Sequence, residues 1–451
     1  MLRRGVLVLG VVVVGCGAEA DRGAPSLDAV VAVDAAPNVG DAETPGPPDA
    51  APLAPLPAFA ELPVRPEVPP VLETLDGRVI DTAEAWRAVR RPELLRLFSH
   101  YVYGFAPAEP PAVQVEVQSV DRDYFDGLAT KKRVRLTYGP AGTPPLDLLV
   151  ITPNGPGPSP VFLGANFFGN HATIDDPEIP LTEGWVPTRG EGVVDNRATE
   201  ASRGTVAYRW PFRDAVERGY GLATFYHGDV ESDAPIEGDG IRRHFPSPSG
   251  DPQHDWGVLA AWAFGLSRAV DYLVTDADVD GARIAAVGHS RNGKVALWGG
   301  ALDERIALVV SNMSGCLGAA LSRRDVGENV ALITAVFPWW WPTVLSQFAD
   351  AEEKLPIDQH LLIALLAPRP VLVVSGEEDT WADPEGEFLA ARLAGPAWRL
   401  LGSEALPDDA PWPLVGAPSL TRVGYARIAG GHEIGAPTWA VAFDFADRWL
   451  R

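Results

Sequence analysis

Apolar residues alternate with polar ones, or cluster as β-branched runs, over 113–120, 133–138 and 146–152, with Gly and Pro between them. A period of two is the spacing of a half-buried strand, so the folded part of the chain is predicted to start β-rich. From residue 160 onward the pattern changes. Continuous apolar runs at 161–167 (VFLGANF), 220–227 (YGLATFYH), 283–289 (RIAAVGH), 306–312 (IALVVSN) and 369–376 (RPVLVVSG) predict buried strands. Stretches with apolar residues at helical spacing lie between or after them, at 210–218, 256–274, 294–302 and 439–449. Strand–helix alternation of this kind predicts an α/β fold, with a mainly parallel central sheet covered by helices on both faces, a three-layer sandwich. No repeat and no internal domain boundary is visible.

The first 56 residues do not fit that body. Arg3 and Arg4 precede an apolar run over 5–15 that is too short to span a bilayer as a helix but suits the hydrophobic region of a signal peptide. It ends in Val13-Val14-Gly15-Cys16, which resembles a bacterial lipobox. That reading makes residues 1–16 an export signal and Cys16 the site of lipidation, holding the protein to the cell envelope. Residues 17–56, rich in Ala, Pro, Asp and Gly, bury too little surface to offset their ordering entropy and are expected to act as a tether. Residues 57–451 then form one catalytic domain. Cys316 is the only other cysteine, so no disulfide framework is expected. The formal net charge of −23 argues against nucleic-acid binding, because such a surface repels phosphate backbones.

The stretch Gly288-His289-Ser290-Arg291-Asn292-Gly293-Lys294 joins a predicted strand to a predicted helix. A sharp strand–turn–helix exposes one side chain at the sheet edge, with the following backbone N–H turned towards a developing oxyanion. The usual G-x-S-x-G pattern is imperfect here, since Asn292 stands where the second Gly is expected, and a Ser at such a turn can be a plain helix cap. Chain order adds to the case: a nucleophile, then an acid after a later strand, then a histidine near the end. Glu377-Glu378-Asp379 follows the 369–376 strand, and His432 lies in a Gly-flanked loop before the last helix. The run Asp276-Ala277-Asp278-Val279-Asp280-Gly281 copies the start of a calcium loop, but Val287 occupies the twelfth position, where a bidentate Glu is needed. It is read as a turn. With neither zinc spacing nor a phosphate-binding loop, no metal or nucleotide cofactor is implied.

These motifs, with Asn166-Phe167, Gly169-Asn170-His171, Gly327-Glu328, Phe337-Pro338-Trp339-Trp340 and the block DQHLLIALLAPRPVLVVSGEEDTWADPEGEF, resemble the bacterial branch of the glucuronoyl esterases, carbohydrate esterase family 15. The resemblance implies the α/β-hydrolase fold. It also implies a serine esterase that cleaves esters between (4-O-methyl-)glucuronic acid of glucuronoxylan and lignin alcohols. Apart from the resemblance, a monomer is expected. By resemblance, Ser290 is the nucleophile, His432 the general base and Arg291 the oxyanion residue, while Lys294, Glu328 and Trp381 bind the sugar. Family members that carry the acid just after the strand following the elbow helix would place it at Met313, which cannot orient an imidazole. The resemblance therefore assigns the acid to Asp379, with Glu378 and Glu377 as alternatives. Duller readings stand beside these: Lys294 as a surface lysine, Glu328 as a solvated carboxylate, Trp381 as packing under the acid loop. Trp339 to Trp341 would be core residues, and His171 and His360 structural hydrogen-bonders. Another esterase, such as an acetyl xylan esterase, and a decayed glycan-binding lipoprotein are the competing functions.

Overall fold

The computed structural model describes residues 55–107, 110–236, 239–246 and 248–451. The export signal with Cys16, and all but the last two residues of the tether, lie outside them. A nine-stranded sheet is formed by β1 (Gln114–Tyr124), β2 (Ala129–Thr137), β3 (Leu146–Pro153), β4 (Ser159–Asn166), β5 (Gly221–Tyr226), β6 (Val279–His289), β7 (Ile306–Asn312), β8 (Val371–Gly376) and β9 (Val423–Ile428). Their order is β1-β2-β3-β5-β4-β6-β7-β8-β9. The pairings β1–β2, β2–β3 and β3–β5 are antiparallel, and every pairing from β5 to β9 is parallel. This is the α/β-hydrolase architecture, with the early strands forming an antiparallel wing.

Each central strand feeds two cores, because successive side chains point to opposite faces. Ile284 and Ala286 of β6, and Val371 and Val373 of β8, join one apolar cluster, while Ala285, Val287, Leu372 and Val374 join the other. Helices α1 (Arg91–Phe98), α3 (Val258–Leu273), α4 (Arg291–Leu302) and α6 (Gln359–Ala364) pack on the first face. On the second lie α2 (Phe212–Glu217) and α9 (Ala436–Trp449). All of α3 except Ser267 and Asp271 is buried, which is why its sequence shows little polar face.

The helix expected over 210–218 starts only at Phe212. Trp210 precedes Pro211, which disfavours helical backbone in the residue before it, and its indole instead packs on Trp439, ring centroids 6.4 Å apart. Strand β9 and helices α1, α5 (Val330–Val336), α6, α7 (Pro384–Leu393) and α8 (Gly395–Leu400) were not foreseen. The Asp276 turn is a structural clasp. Its carboxylate meets the Lys132 ammonium, accepts from Tyr272 Oη at 2.5 Å and from the Asp278 N–H at 2.9 Å. Cys316 is buried as a free thiol. Among the described residues no helix is long and apolar enough to cross a membrane.

Candidate active site

Ser290 sits between β6 and α4 with φ 56° and ψ −129°, a left-handed conformation that tight packing on both sides enforces. The turn is closed by Ser290 N donating to Asn312 O (2.9 Å) and Gly293 N donating to Ser290 O (2.8 Å). A Cβ on Gly288 would lie 1.9 Å from the Asn292 carbonyl oxygen, so only glycine permits strand and helix to approach so closely there. Although Ser290 occupies the N-cap position, its hydroxyl makes no capping bond. It faces His432 Nε2 instead, at 2.9 Å.

Asn292, the departure from the elbow pattern, is buried. Its Nδ2 donates to Ala165 O (2.9 Å), and its Oδ1 faces His227 Nδ1 (3.1 Å). His227 is stacked on Trp262 at 4.0 Å and lowered by burial to about 4, so it is neutral and donates its Nδ1–H to that oxygen. The side-chain amide thus ties the elbow to β4, and Gly293 supplies the small residue, with its Cβ position 2.9 Å from Ser314 Cβ.

His432 Nδ1 lies 2.6 Å from Asp379 Oδ2, and Asp379 is almost fully buried behind it. An ionised carboxylate can only accept, so the ring proton sits on Nδ1 and the Nε2 lone pair faces the Ser290 hydroxyl. The three residues assigned from sequence therefore converge. Glu377 and Glu378 do not join them: both are exposed, and Glu377 pairs with Arg427 at 3.3 Å. The Glu378 backbone contributes by donating to Gly430 O (3.0 Å), which ties the acid loop to the histidine loop. Met313 is buried, and its sulfur accepts the Glu433 N–H at 3.3 Å, so this position supports the histidine loop by packing. His289 lies beside His432, centroids 4.6 Å apart, and burial together with His432 holds its imidazole well below the usual range.

On the other side of Ser290, Lys294 is buried and not a surface lysine. Its Nζ donates to Ser314 O (2.6 Å) and to Glu328 Oε2 (2.8 Å). Glu328 is likewise buried, and its N–H donates to the carbonyl of Trp381 (2.9 Å). Trp381 itself is 49% exposed, so its indole is available to a ligand and is not packing under the acid loop. The Arg291 guanidinium pairs with Asp233 and lies over the Trp340 ring at 4.5 Å. Trp340 and Trp341 are buried and Trp339 partly so. His171 and His360 are structural, facing Ser202 Oγ (2.8 Å) and Pro69 O (2.7 Å). Among the described residues no group of three or more His, Cys, Asp or Glu side chains is placed to hold a metal.

Glu387 on α7 was missed by sequence reasoning. Fully buried, it accepts from the backbone N–H groups of Ser314 (2.7 Å) and Gly315 (3.0 Å), fixing the loop that carries Met313, and it meets Ser375 Oγ at 2.5 Å. Burial pushes its carboxyl up to about 8. A carboxyl raised on folding from its ordinary 4.5 stabilises the fold most below that value, and this stabilisation is lost as pH climbs towards 8. Glu387→Gln can keep both accepted bonds and donate to Ser375 without carrying charge. Thermal unfolding should show the variant more stable than the parent by several degrees at pH 9, with little difference at pH 5. An equal shift at both pH values would contradict this.

A family model described as "Glucuronyl esterase, fungi" matches residues 250–402. A carbohydrate esterase of an unknown prokaryotic organism is 44% identical over 388 residues, covering 85% of this chain and 89% of that protein. Among solved structures, a promiscuous CE15 esterase from the marine bacterial metagenome superposes with a TM-score of 0.80 at 43% identity, covering 87% of this chain and 98% of that one. A glucuronoyl esterase from Solibacter usitatus gives a TM-score of 0.79 at 39% identity, covering 87% and 100%.

Proposed function

Because this chain belongs to carbohydrate esterase family 15, the glucuronoyl esterases, and is a serine-type esterase of the α/β-hydrolase fold, we propose that it cleaves esters between (4-O-methyl-)glucuronic acid of glucuronoxylan and lignin alcohols. The observation that carries the mechanism is the unbroken hydrogen-bond chain Asp379–His432–Ser290. His432 Nε2 takes the hydroxyl proton as Ser290 Oγ attacks the ester carbonyl, and Asp379 stabilises the imidazolium. The carbonyl oxygen becomes an oxyanion beside the Arg291 N–H at the start of α4 and the Arg291 guanidinium. Collapse expels the alcohol, which receives the proton from His432. Water, activated by the same imidazole, then hydrolyses the uronoyl–Ser290 ester.

Lys294, Glu328 and Trp381 form the sugar side. The buried Lys294–Glu328 pair sets donors and acceptors at fixed positions for sugar hydroxyls, and the exposed indole of Trp381 offers an apolar face to a pyranose ring. A purified enzyme should hydrolyse a benzyl glucuronate ester much faster than acetylated xylan. Lys294→Ala should lower kcat/KM on the glucuronate ester by about 10–100-fold, while changing acetyl-ester hydrolysis less than about threefold. Equal losses on both substrates would favour a general or acetyl esterase. Tight binding of xylan fragments without turnover of any ester would favour a glycan-binding protein.

The same proposal places the enzyme outside the cytoplasm, exported through residues 1–16 and anchored by a lipid on Cys16, with residues 17–56 as the tether. It predicts that full-length protein partitions with membranes and that Cys16→Ser moves it to the soluble fraction. Membrane association that survives this substitution would rule the anchor out.

A further inference from the structure

Asp233 follows β5 in the chain, 58 residues before Arg291 and outside any motif, yet it is the residue on which the Arg291 side chain rests. Its carboxylate is buried, with the side chain 2% exposed. One oxygen, Oδ1, accepts from the Trp340 indole N–H at 2.7 Å and is approached by that of Trp339 at 3.3 Å. The other, Oδ2, pairs with Arg291 Nη1. Both oxygens are thereby committed, and the carboxylate has one orientation. The guanidinium is confined from other directions as well. Its Cζ lies 4.5 Å from the Trp340 ring centroid and 5.2 Å from that of Phe337, two rings stacked on each other at 3.9 Å with 4° between them. Its Nε–H is buried without a partner.

We propose that Asp233 is a positioning residue for the oxyanion site, which together with the indoles of Trp339 and Trp340 holds the Arg291 guanidinium in the orientation that meets the carbonyl oxygen. The inference rests on the reading of Arg291 as the oxyanion residue. The physical reason is preorganisation. An arginine side chain has several rotatable bonds, and a donor that must first be ordered gives up much of its gain in the transition state. Here the ordering is complete before substrate arrives. The arrangement also gives the aromatic cluster beside the site a part: Trp340 supplies an N–H to the carboxylate and a ring within 4.5 Å of the cation at once.

The test is a double-mutant cycle on the full-length enzyme with a benzyl glucuronate ester, with melting temperatures alongside. Asp233→Asn should lower kcat by about 10–100-fold while KM changes less than about threefold, since the lost contact matters mainly once charge develops. In an Arg291→Ala background the same substitution should alter kcat by less than about twofold, because its effect passes through the guanidinium. Trp340→Phe keeps the stacked ring and removes only the N–H, and should give a smaller kcat loss in the same direction. This variant decides the matter if Asp233→Asn does not fold. The proposal is overturned if the Asp233→Asn and Arg291→Ala losses multiply, or if both Asp233→Asn and Trp340→Phe keep wild-type kcat while Arg291→Ala is impaired. Wild-type kcat in Arg291→Ala overturns the parent reading instead, and this proposal with it.

Discussion

Replacing Ser290 by Ala is expected to lower kcat on a benzyl glucuronate ester by about 10⁴-fold or more, with almost no change in melting temperature. The two halves of that expectation come from one geometric fact. The hydroxyl faces His432 at 2.9 Å and makes no cap bond to α4, although Ser290 occupies the N-cap position. A capping serine would contribute about 1 kcal/mol to the helix, and its loss would show in unfolding. Here the turn is held by backbone bonds to Asn312 and from Gly293, which alanine retains. The measurement pairs steady-state kinetics with calorimetry. Substantial residual turnover would overturn the nucleophile, and a large loss of stability together with activity would point back to a structural cap.

Asp379→Asn should cost a comparable amount, about 10⁴-fold in kcat at neutral pH, and the reason can be followed atom by atom. Asp379 Oδ1 accepts the Ala382 N–H at 3.3 Å, while Oδ2 lies 2.6 Å from His432 Nδ1. An asparagine that keeps its oxygen on Ala382 turns its NH₂ group towards His432. The imidazole must then accept at Nδ1 and carry its proton on Nε2, where it can no longer take the proton of Ser290. The fold should be little disturbed, because size and shape are conserved. Glu378→Gln provides the contrast: that side chain is exposed, so kcat should stay within about twofold of the parent. Were Glu378→Gln the damaging change and Asp379→Asn the mild one, the acid would have to be reassigned.

The sequence stretches that announced the site share a property. Ser290 terminates an apolar strand, the acids follow another at once, and His432 stands in a glycine-flanked loop before an amphipathic helix. Local pattern therefore carries each of them. The residues that escaped notice lack such a signature. Asp233 stands outside every motif, and Glu387 lies near the end of a long motif block with nothing local to single it out; folding brings them to Arg291 and to the 313–315 loop. Strand β9, VGYARI, escaped because Gly424 and Arg427 interrupt its apolar run.

From the chain alone came the α/β architecture, the elbow, and the three places from which nucleophile, acid and base would come, because strand and helix periodicities and turn residues act over a few positions. Setting Asp379, already the first choice by resemblance, 2.6 Å from the His432 ring while leaving Glu377 and Glu378 exposed, turning Asn292 from a flawed motif into a tie to β4, and pairing Lys294 with Glu328 were left to the tertiary structure. Those outcomes depend on which buried groups find partners across tens or hundreds of residues. A buried polar group must be satisfied by whatever the fold brings within about 3 Å of it, and that distance is written nowhere in the order of residues.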